Sequence, residues 1–125
     1  MKISYAIPVC NEHVELEKLL LFLTSHIDTE DEIVVQCDQG NTTPDVYKVI
    51  DSFKFADTVG FKDPLKVIEF PLNGHFSNFK NNLKEHCTGD WIFQIDADEL
   101  PHESLITNLK SLLKLNPTTE MFLVP

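Results

Sequence analysis

The sequence is poor in basic residues and in long apolar runs. It has 10 lysine and arginine residues against 20 aspartates and glutamates, which gives a net charge of −10. This imbalance argues against nucleic acids and anionic membrane surfaces as partners, and a phosphate-bearing ligand would need a metal ion or a helix N-terminus to hold it. No apolar run approaches the roughly 20 residues of a membrane-spanning helix, and no small-residue cleavage site follows the apolar start. We therefore expect no transmembrane segment, no signal peptide and a cytoplasmic location.

Cysteine is also scarce. The three cysteines, Cys10, Cys37 and Cys87, are widely spaced and form no C-x-x-C pair, which argues against a zinc site and against a disulfide framework. We expect buried thiols. The 125 residues contain no repeat, low-complexity tract or linker, so they predict a single domain over residues 1–125.

Apolar runs and helical periodicities alternate along the chain. Strands are predicted over residues 2–9, 33–37, 66–70, 91–95 and 121–124. Helices are predicted over 12–26, 44–53 and 77–86, and from 101 to about 116. The first helix has its apolar positions at helical spacing: Val14, Leu16, Leu19, Leu20 and Leu23. Thr42 or Thr43 is expected to cap the second helix. This alternation predicts an α/β fold with a mostly parallel, Rossmann-like sheet and helices on both faces.

The segment from Gly89 to Leu100 stands out, because its strand ends in three acids within four positions. In a strand or tight turn, residues i and i+2 point the same way, so Asp96 and Asp98 can direct their carboxylates at one point. A divalent cation between them would relieve their repulsion. A solvated acidic turn before the next helix explains the spacing equally well, and the spacing alone leaves both interpretations open.

Polar clusters follow three of the predicted strands. Because ligands of parallel sheets bind beyond the carboxyl ends of the strands, these clusters are expected to line one crevice. The clusters are Asn11 with Glu12, Asp38 with Gln39, and Asp96 with Asp98 and Glu99.

Residues 89–99, Gly-Asp-Trp-Ile-Phe-Gln-Ile-Asp-Ala-Asp-Glu, resemble the metal-binding Asp-x-Asp segment of family 2 glycosyltransferases with the GT-A fold. They are most similar to the lipopolysaccharide-core type. The resemblance implies that Asp98 is the main metal ligand. It implies that Asp96 is a second ligand or a ribose-binding group, and that Ala97 borders the nucleotide-sugar. Ligation by carboxylate, water and phosphate oxygens suits Mn²⁺ or Mg²⁺.

Residues 7–12, Ile-Pro-Val-Cys-Asn-Glu, resemble the family segment Ile-Pro-Thr-Tyr-Asn-Glu, which borders the nucleotide base. Cys10 stands where the family often has an aromatic residue. The resemblance implies four donor-binding residues: Pro8, Val9, Asn11 and Glu12. The alternative for Asn11 and Glu12 is a helix N-cap followed by a first-turn carboxylate.

Two further positions match the family. Asp38 matches the acid that hydrogen-bonds the uracil ring, and a carboxylate can accept the imide N–H that cytosine lacks. The alternative is a turn-forming aspartate. Residues 74–82 are similar to the segment Gly-x-x-x-Ala-Arg-Asn, with Lys80 in the arginine position. Lys80 can meet a phosphate or sugar as a point charge without the bidentate fork of arginine, or it can be a solvated surface lysine.

The resemblance implies a metal-dependent glycosyltransferase, or a donor hydrolase, that uses a UDP-sugar and an unidentified sugar or lipid-linked acceptor. It covers the donor-binding half of a family 2 enzyme, so we expect slow turnover in isolation. Glu99 is a candidate base, although it does not match the family's base, and a partner subunit or a second copy could complete the site. One alternative is a catalytically silent nucleotide-sugar binding module. Another is a phosphotransferase or phosphatase with an Asp-x-Asp nucleophile and acid.

Overall fold

The computed structural model describes residues 1–55 and 65–115. Strands and helices alternate as predicted, in the order β1 (Ile3–Val9), α1 (His13–His26), β2 (Glu32–Asp38), α2 (Pro44–Phe55), β3 (Leu65–Phe70), α3 (Phe76–Glu85), β4 (Trp91–Gln94) and α4 (Glu103–Leu115). The strand predicted over residues 121–124 lies outside the described residues. Within those residues, no helix has the length and apolar character that crossing a membrane requires.

The four strands form one parallel sheet in the order β3-β2-β1-β4. The register places Val9 opposite Cys37 and Ala6 opposite Gln94. β4 therefore ends earlier along β1 than β2 does. The predicted α/β class with a parallel sheet is confirmed.

One face of the sheet carries most of the apolar core. Alternate residues of β1, namely Ile3, Tyr5, Ile7 and Val9, are buried there against apolar side chains of α1, α2 and α4. Leu16, Leu19, Leu20 and Leu23 provide the buried stripe of α1. Val14 shares the helical spacing but lies outside this stripe, because its side chain is 49% exposed at the start of the helix.

The other face is covered by α3 and combines a small apolar cluster with buried polar groups. Ala6, Val34 and Leu83 form the apolar part. Gln36 is fully buried. Its Nε2 donates to the Phe79 carbonyl at 2.7 Å, and its Oε1 accepts from Asn82 Nδ2 at 2.8 Å. These two hydrogen bonds fix α3 on β2, so the helix is positioned by directional contacts as well as by apolar packing.

Gly89 has a steric reason to be glycine. A Cβ atom at this position would lie 2.7 Å from Ser4 N and 2.9 Å from Lys2 O, and backbone atoms of a central strand cannot easily yield. The Gly89 N–H also donates to Ser4 Oγ at 2.8 Å. The close approach lets the chain enter β4 directly beside β1.

The expected cap of α2 is wrong in detail. Thr42 Oγ1 donates to the Asp38 carbonyl at 2.9 Å. The buried Thr43 Oγ1 has no hydrogen-bond partner within the described part of the chain. The helix begins at Pro44, as predicted, and the missing N–H of proline is suited to a first turn.

The expectation for the thiols holds for one cysteine. Cys37 is buried in the core, whereas Cys10 and Cys87 are half-buried. Burial raises the pKa of the Cys87 thiol to about 11, so this thiol stays protonated at neutral pH.

Candidate active site at the carboxyl edge of the sheet

A pocket of about 360 Å³ lies at the carboxyl ends of β1, β2 and β4, a volume within the usual range for small-molecule sites. Four carboxylates line it: Glu12, Asp38, Asp96 and Asp98. Lys80 is the one lysine among the pocket-lining residues. The remaining lining residues are Pro8, Val9, Cys10, Leu72, Phe76 and Phe79. The pocket lining therefore combines apolar side chains with a strong excess of negative charge.

The Asp-x-Asp segment reaches the pocket through an alternation of buried and exposed residues. Ile95 N donates to the Ala6 carbonyl at 2.9 Å and so extends the pairing of β4 with β1. Ile95 and Ala97 are buried in the core, whereas Asp96 and Asp98 are exposed and line the pocket. Both carboxylates therefore face the same side, as the spacing predicted. Ala97 packs into the core, and its side chain is not among the pocket-lining residues.

Glu99, the candidate base, forms hydrogen bonds within its own turn. Its N–H donates to the Asp96 carbonyl at 2.9 Å, and its Oε1 accepts from the Asp96 N–H at 3.2 Å. The side chain thus closes the turn that presents Asp96 and Asp98. It does not line the pocket.

Asp38 is both a turn anchor and a pocket residue. Its side chain is largely buried, with 7% exposure. Oδ1 accepts from Leu72 N at 3.0 Å, and Oδ2 lies 3.4 Å from Asn41 Nδ2. These contacts support the turn-forming interpretation. The carboxylate can still accept further hydrogen bonds, since each oxygen has a second lone pair.

The loop after β1 differs from the predicted cap. Glu12 itself occupies the N-cap position of α1, and its Oε1 accepts from Asn11 N at 3.0 Å. Asn11 is exposed and does not line the pocket. The Cys10 carbonyl accepts from Thr43 N at 3.0 Å, which joins the loops after β1 and β2.

One of the pocket-lining residues, Cys10, is affected by the negative charge of the pocket. The pKa of the Cys10 thiol is raised, first by its partial burial and then by the negative charges of Asp38 and Glu12. The thiol therefore remains neutral at pH 7 and is not an activated nucleophile.

A tight turn brings α3 to the pocket. His75 N donates to the Leu72 carbonyl at 2.8 Å, and the two residues between them, Asn73 and Gly74, have φ of +46° and +75°. Asn-Gly is the dipeptide that tolerates two positive φ angles best. Phe76 then begins α3, and Lys80 lies about one turn further on.

Sequence reasoning missed three apolar residues of the pocket wall: Leu72, Phe76 and Phe79. The Asn-Gly pair indicated a turn, but the pattern alone did not show which side chains the turn directs to the crevice.

The carboxylates of the pocket lining fit an open site for a hard divalent cation. Among residues 1–55 and 65–115, no three His, Cys, Asp or Glu side chains are placed to enclose a metal ion. A site with one or two carboxylates, completed by water and substrate phosphates, is the arrangement that Mg²⁺ commonly uses. Asp98 and Asp96 would hold such an ion.

The chain matches a family model described as glycosyl transferase family 2 over residues 4–119. An uncharacterised glycosyltransferase of Haemophilus influenzae is 36% identical over 70 residues, which are 56% of this chain and 24% of that protein.

Two solved structures share the fold. Residues 1–349 of S. aureus TarS superpose with a TM-score of 0.74 at 21% identity, over 92% of this chain and 33% of that chain. The same residues of TarS in complex with UDP give 0.73 at 21% identity, over 92% and 32%. The chain thus spans about a quarter to a third of the length of these proteins.

Proposed function

The chain belongs to glycosyltransferase family 2, and from this premise we propose that it binds a UDP-sugar with Mn²⁺ or Mg²⁺ and takes part in transfer of the sugar to an acceptor. The observation that carries the proposal is the pocket at the carboxyl edge of the sheet, where Asp38, Asp96, Asp98 and Lys80 come together. The UDP complex of TarS, a protein with the same fold, supports the choice of nucleotide.

Each residue has a proposed role. Asp38 accepts the imide N–H of uracil, and Pro8, Val9 and Glu12 border the base and ribose. Asp96 contacts the ribose or the metal ion. Exposed Asn11 takes part only if the bound nucleotide extends beyond the pocket rim.

The diphosphate is proposed to lie between Asp98 and Lys80. The metal ion, when bound, neutralises charge on the departing nucleoside diphosphate. Lys80 donates an N–H to a phosphate or to the sugar as a point charge. The start of α3 has no side-chain cap, and its first residue, Phe76, lines the pocket, so the backbone N–H groups of this first turn are proposed as further phosphate donors.

Calorimetry of the full chain tests the proposal directly. UDP should bind in the presence of Mn²⁺ and bind far more weakly in the presence of a chelator. Equal affinity under both conditions would reject the metal bridge, and no binding under either would reject the nucleotide site.

A second candidate function is a nucleotide-sugar binding module that relies on another segment, a partner subunit or a second copy for the base and the acceptor. The engagement of Glu99 in its own turn favours this candidate, because Glu99 is the acid that the sequence offered as a base and its carboxylate is bonded to the Asp96 N–H outside the pocket lining. Comparing UDP binding with metal-dependent UDP release from a donor separates the two, since the module binds without turnover. A sugar or lipid-linked acceptor and a cytoplasmic location are part of the proposal and rest on the sequence alone.

Asp38 offers a test of base selectivity. Asp38→Asn keeps an oxygen for the Leu72 N–H but places an NH₂ group where the uracil imide would donate. We expect a loss of UDP affinity of roughly tenfold, a typical effect of a hydrogen bond to a charged group, and a smaller loss for CDP. Titrations of both nucleotides, with the unfolding midpoint as a control for the turn, measure this. Equal losses for UDP and CDP would mean that Asp38 only shapes the turn.

A further inference from the structure

We propose that Phe76 is the aromatic surface on which the nucleobase of the donor stacks. This inference rests on the proposed function and adds to it a residue that contributes affinity without base selectivity. Phe76 is 65% exposed although it lines the pocket. Single exposed apolar residues are ordinary on protein surfaces, so the inference depends on where this ring is held.

Phe76 is tied to the proposed base-binding carboxylate through a short chain of hydrogen bonds. Asp38 Oδ1 accepts from Leu72 N at 3.0 Å, and the Leu72 carbonyl accepts from His75 N at 2.8 Å. Phe76 follows immediately as the first residue of α3. The segment that carries the ring is thus fixed to the same carboxylate that is proposed to bind uracil.

The other aromatic residue of the pocket is committed to the fold. Phe79 is only 6% exposed, and its ring lies 6.4 Å from that of Phe70 in a tilted contact. Its carbonyl also accepts the hydrogen bond from Gln36. Of the two aromatic side chains that line the pocket, Phe76 is the one with a face open to a ligand.

Cys10, in the loop after β1, cannot provide a stacking surface for the base. Its side chain is small, and its Sγ lies 3.4 Å from the Asn41 carbonyl. A nucleobase in this pocket can therefore form a hydrogen bond with Asp38 through its edge and stack its face on the ring of Phe76. Stacking on an aromatic ring tolerates every base, because every base has a π-face.

Phe76→Ala tests the proposal. We expect the affinities for UDP and CDP, measured with Mn²⁺, to fall by a similar factor of roughly 5- to 100-fold, the range for removing a base-stacking aromatic residue. The affinity for pyrophosphate with Mn²⁺ should be unchanged. Phe76→Tyr should bind as the wild type does, and Phe76→Leu should lie between the two, since it keeps apolar contact without a ring. The equal loss for both bases is the opposite of the result expected for Asp38→Asn.

Leu21→Ala is a matched control, because it removes a side chain of similar exposure, 54%, from α1 outside the pocket; it should leave nucleotide affinity unchanged. Wild-type affinity for UDP in Phe76→Ala would overturn the inference while the proposed function stands. A loss of affinity confined to UDP-sugars would also overturn the inference, because the ring would then contact the sugar. An equal loss of affinity for pyrophosphate would overturn it too, because the substitution would then have disturbed the start of α3. A wild-type chain that binds no nucleotide would overturn the proposed function and this inference with it.

Discussion

Asp98→Ala should lower the affinity for UDP in Mn²⁺ by about 100-fold or more, which corresponds to the several kcal/mol that a metal–phosphate interaction supplies. Asp98 is exposed at the pocket and lies in the turn that Glu99 closes. Its side chain is not part of the apolar core of the described residues, so the expected loss concerns binding and leaves folding intact.

The size of this effect follows from the charges around the pocket. Four carboxylates face one lysine, and none of the chain's basic residues is an arginine. A diphosphate entering this pocket without a cation meets like charge on most sides. Because the repulsion acts in a partly enclosed space, it is screened less than on an open surface. A divalent ion held by Asp98 makes the local charge positive where the diphosphate binds. A variant that loses the metal ion should therefore also lose its affinity for UDP.

Calorimetry of four proteins makes the comparison: the wild type and three variants. Asp98→Asn keeps the shape of the side chain and should lose affinity like Asp98→Ala. Glu17→Ala removes the same charge from the exposed side of α1 and should bind UDP as the wild type does. With a chelator, wild type and Asp98→Ala should become equal. If Asp98→Ala retained Mn²⁺-dependent affinity, the ion would be held elsewhere, and Asp96 and Glu12 would be the next positions to replace.

Much of the fold could be predicted because its signals are local. The apolar runs of β1 and β2 and the leucine stripe of α1 identify their elements within a few residues of sequence. The alternation of strands and helices then restricts the topology to a parallel sheet. The same logic placed Asp38, Asp96 and Asp98 at one edge of the sheet, since parallel strands bring their carboxyl ends together.

The remaining features depend on partners that are distant in sequence. Gln36 interrupts an apolar run, and nothing near it shows that it will hold Phe79 and Asn82 of α3, 43 and 46 residues away. The apolar residues of the pocket lining have the same origin, because the hydrogen bond from Leu72 N to Asp38 fixes the turn after which Phe76 follows. The turn role of Glu99 escaped prediction for another reason: one carboxylate can serve as a base or as a backbone acceptor, and only geometry distinguishes the two.

Glu32 is the most consequential of these hidden residues, and its replacement by alanine should destabilise the fold by about 2–4 kcal/mol. Its Oε2 accepts from Ser4 Oγ at 2.5 Å, from Thr88 N at 2.7 Å and from Thr88 Oγ1 at 3.0 Å. Glu32→Ala would leave these donors without their acceptor on the α3 side of the sheet. Lys2 and Lys66, each 3.8 Å from Oε1, add little because they are partly solvated. Urea unfolding measures the loss, with Glu17→Ala as the control for removing an exposed acid.

The pH dependence of the same contact gives an independent check. Burial by itself would raise the pKa of Glu32, but hydrogen bonds from Ser4 and Thr88 and the charge of Lys66 outweigh it, and the pKa lies below its ordinary value. A carboxyl whose pKa is lower in the folded state stabilises the fold fully above its unfolded pKa of about 4.3. That contribution is lost as the pH falls through the folded value. The difference in unfolding free energy between wild type and Glu32→Gln should therefore stay constant from about pH 7 to 5 and shrink below about pH 4. A difference that persists unchanged to about pH 3 would show that shape, and not the charge of Glu32, holds β1, β2 and the entry to β4 together.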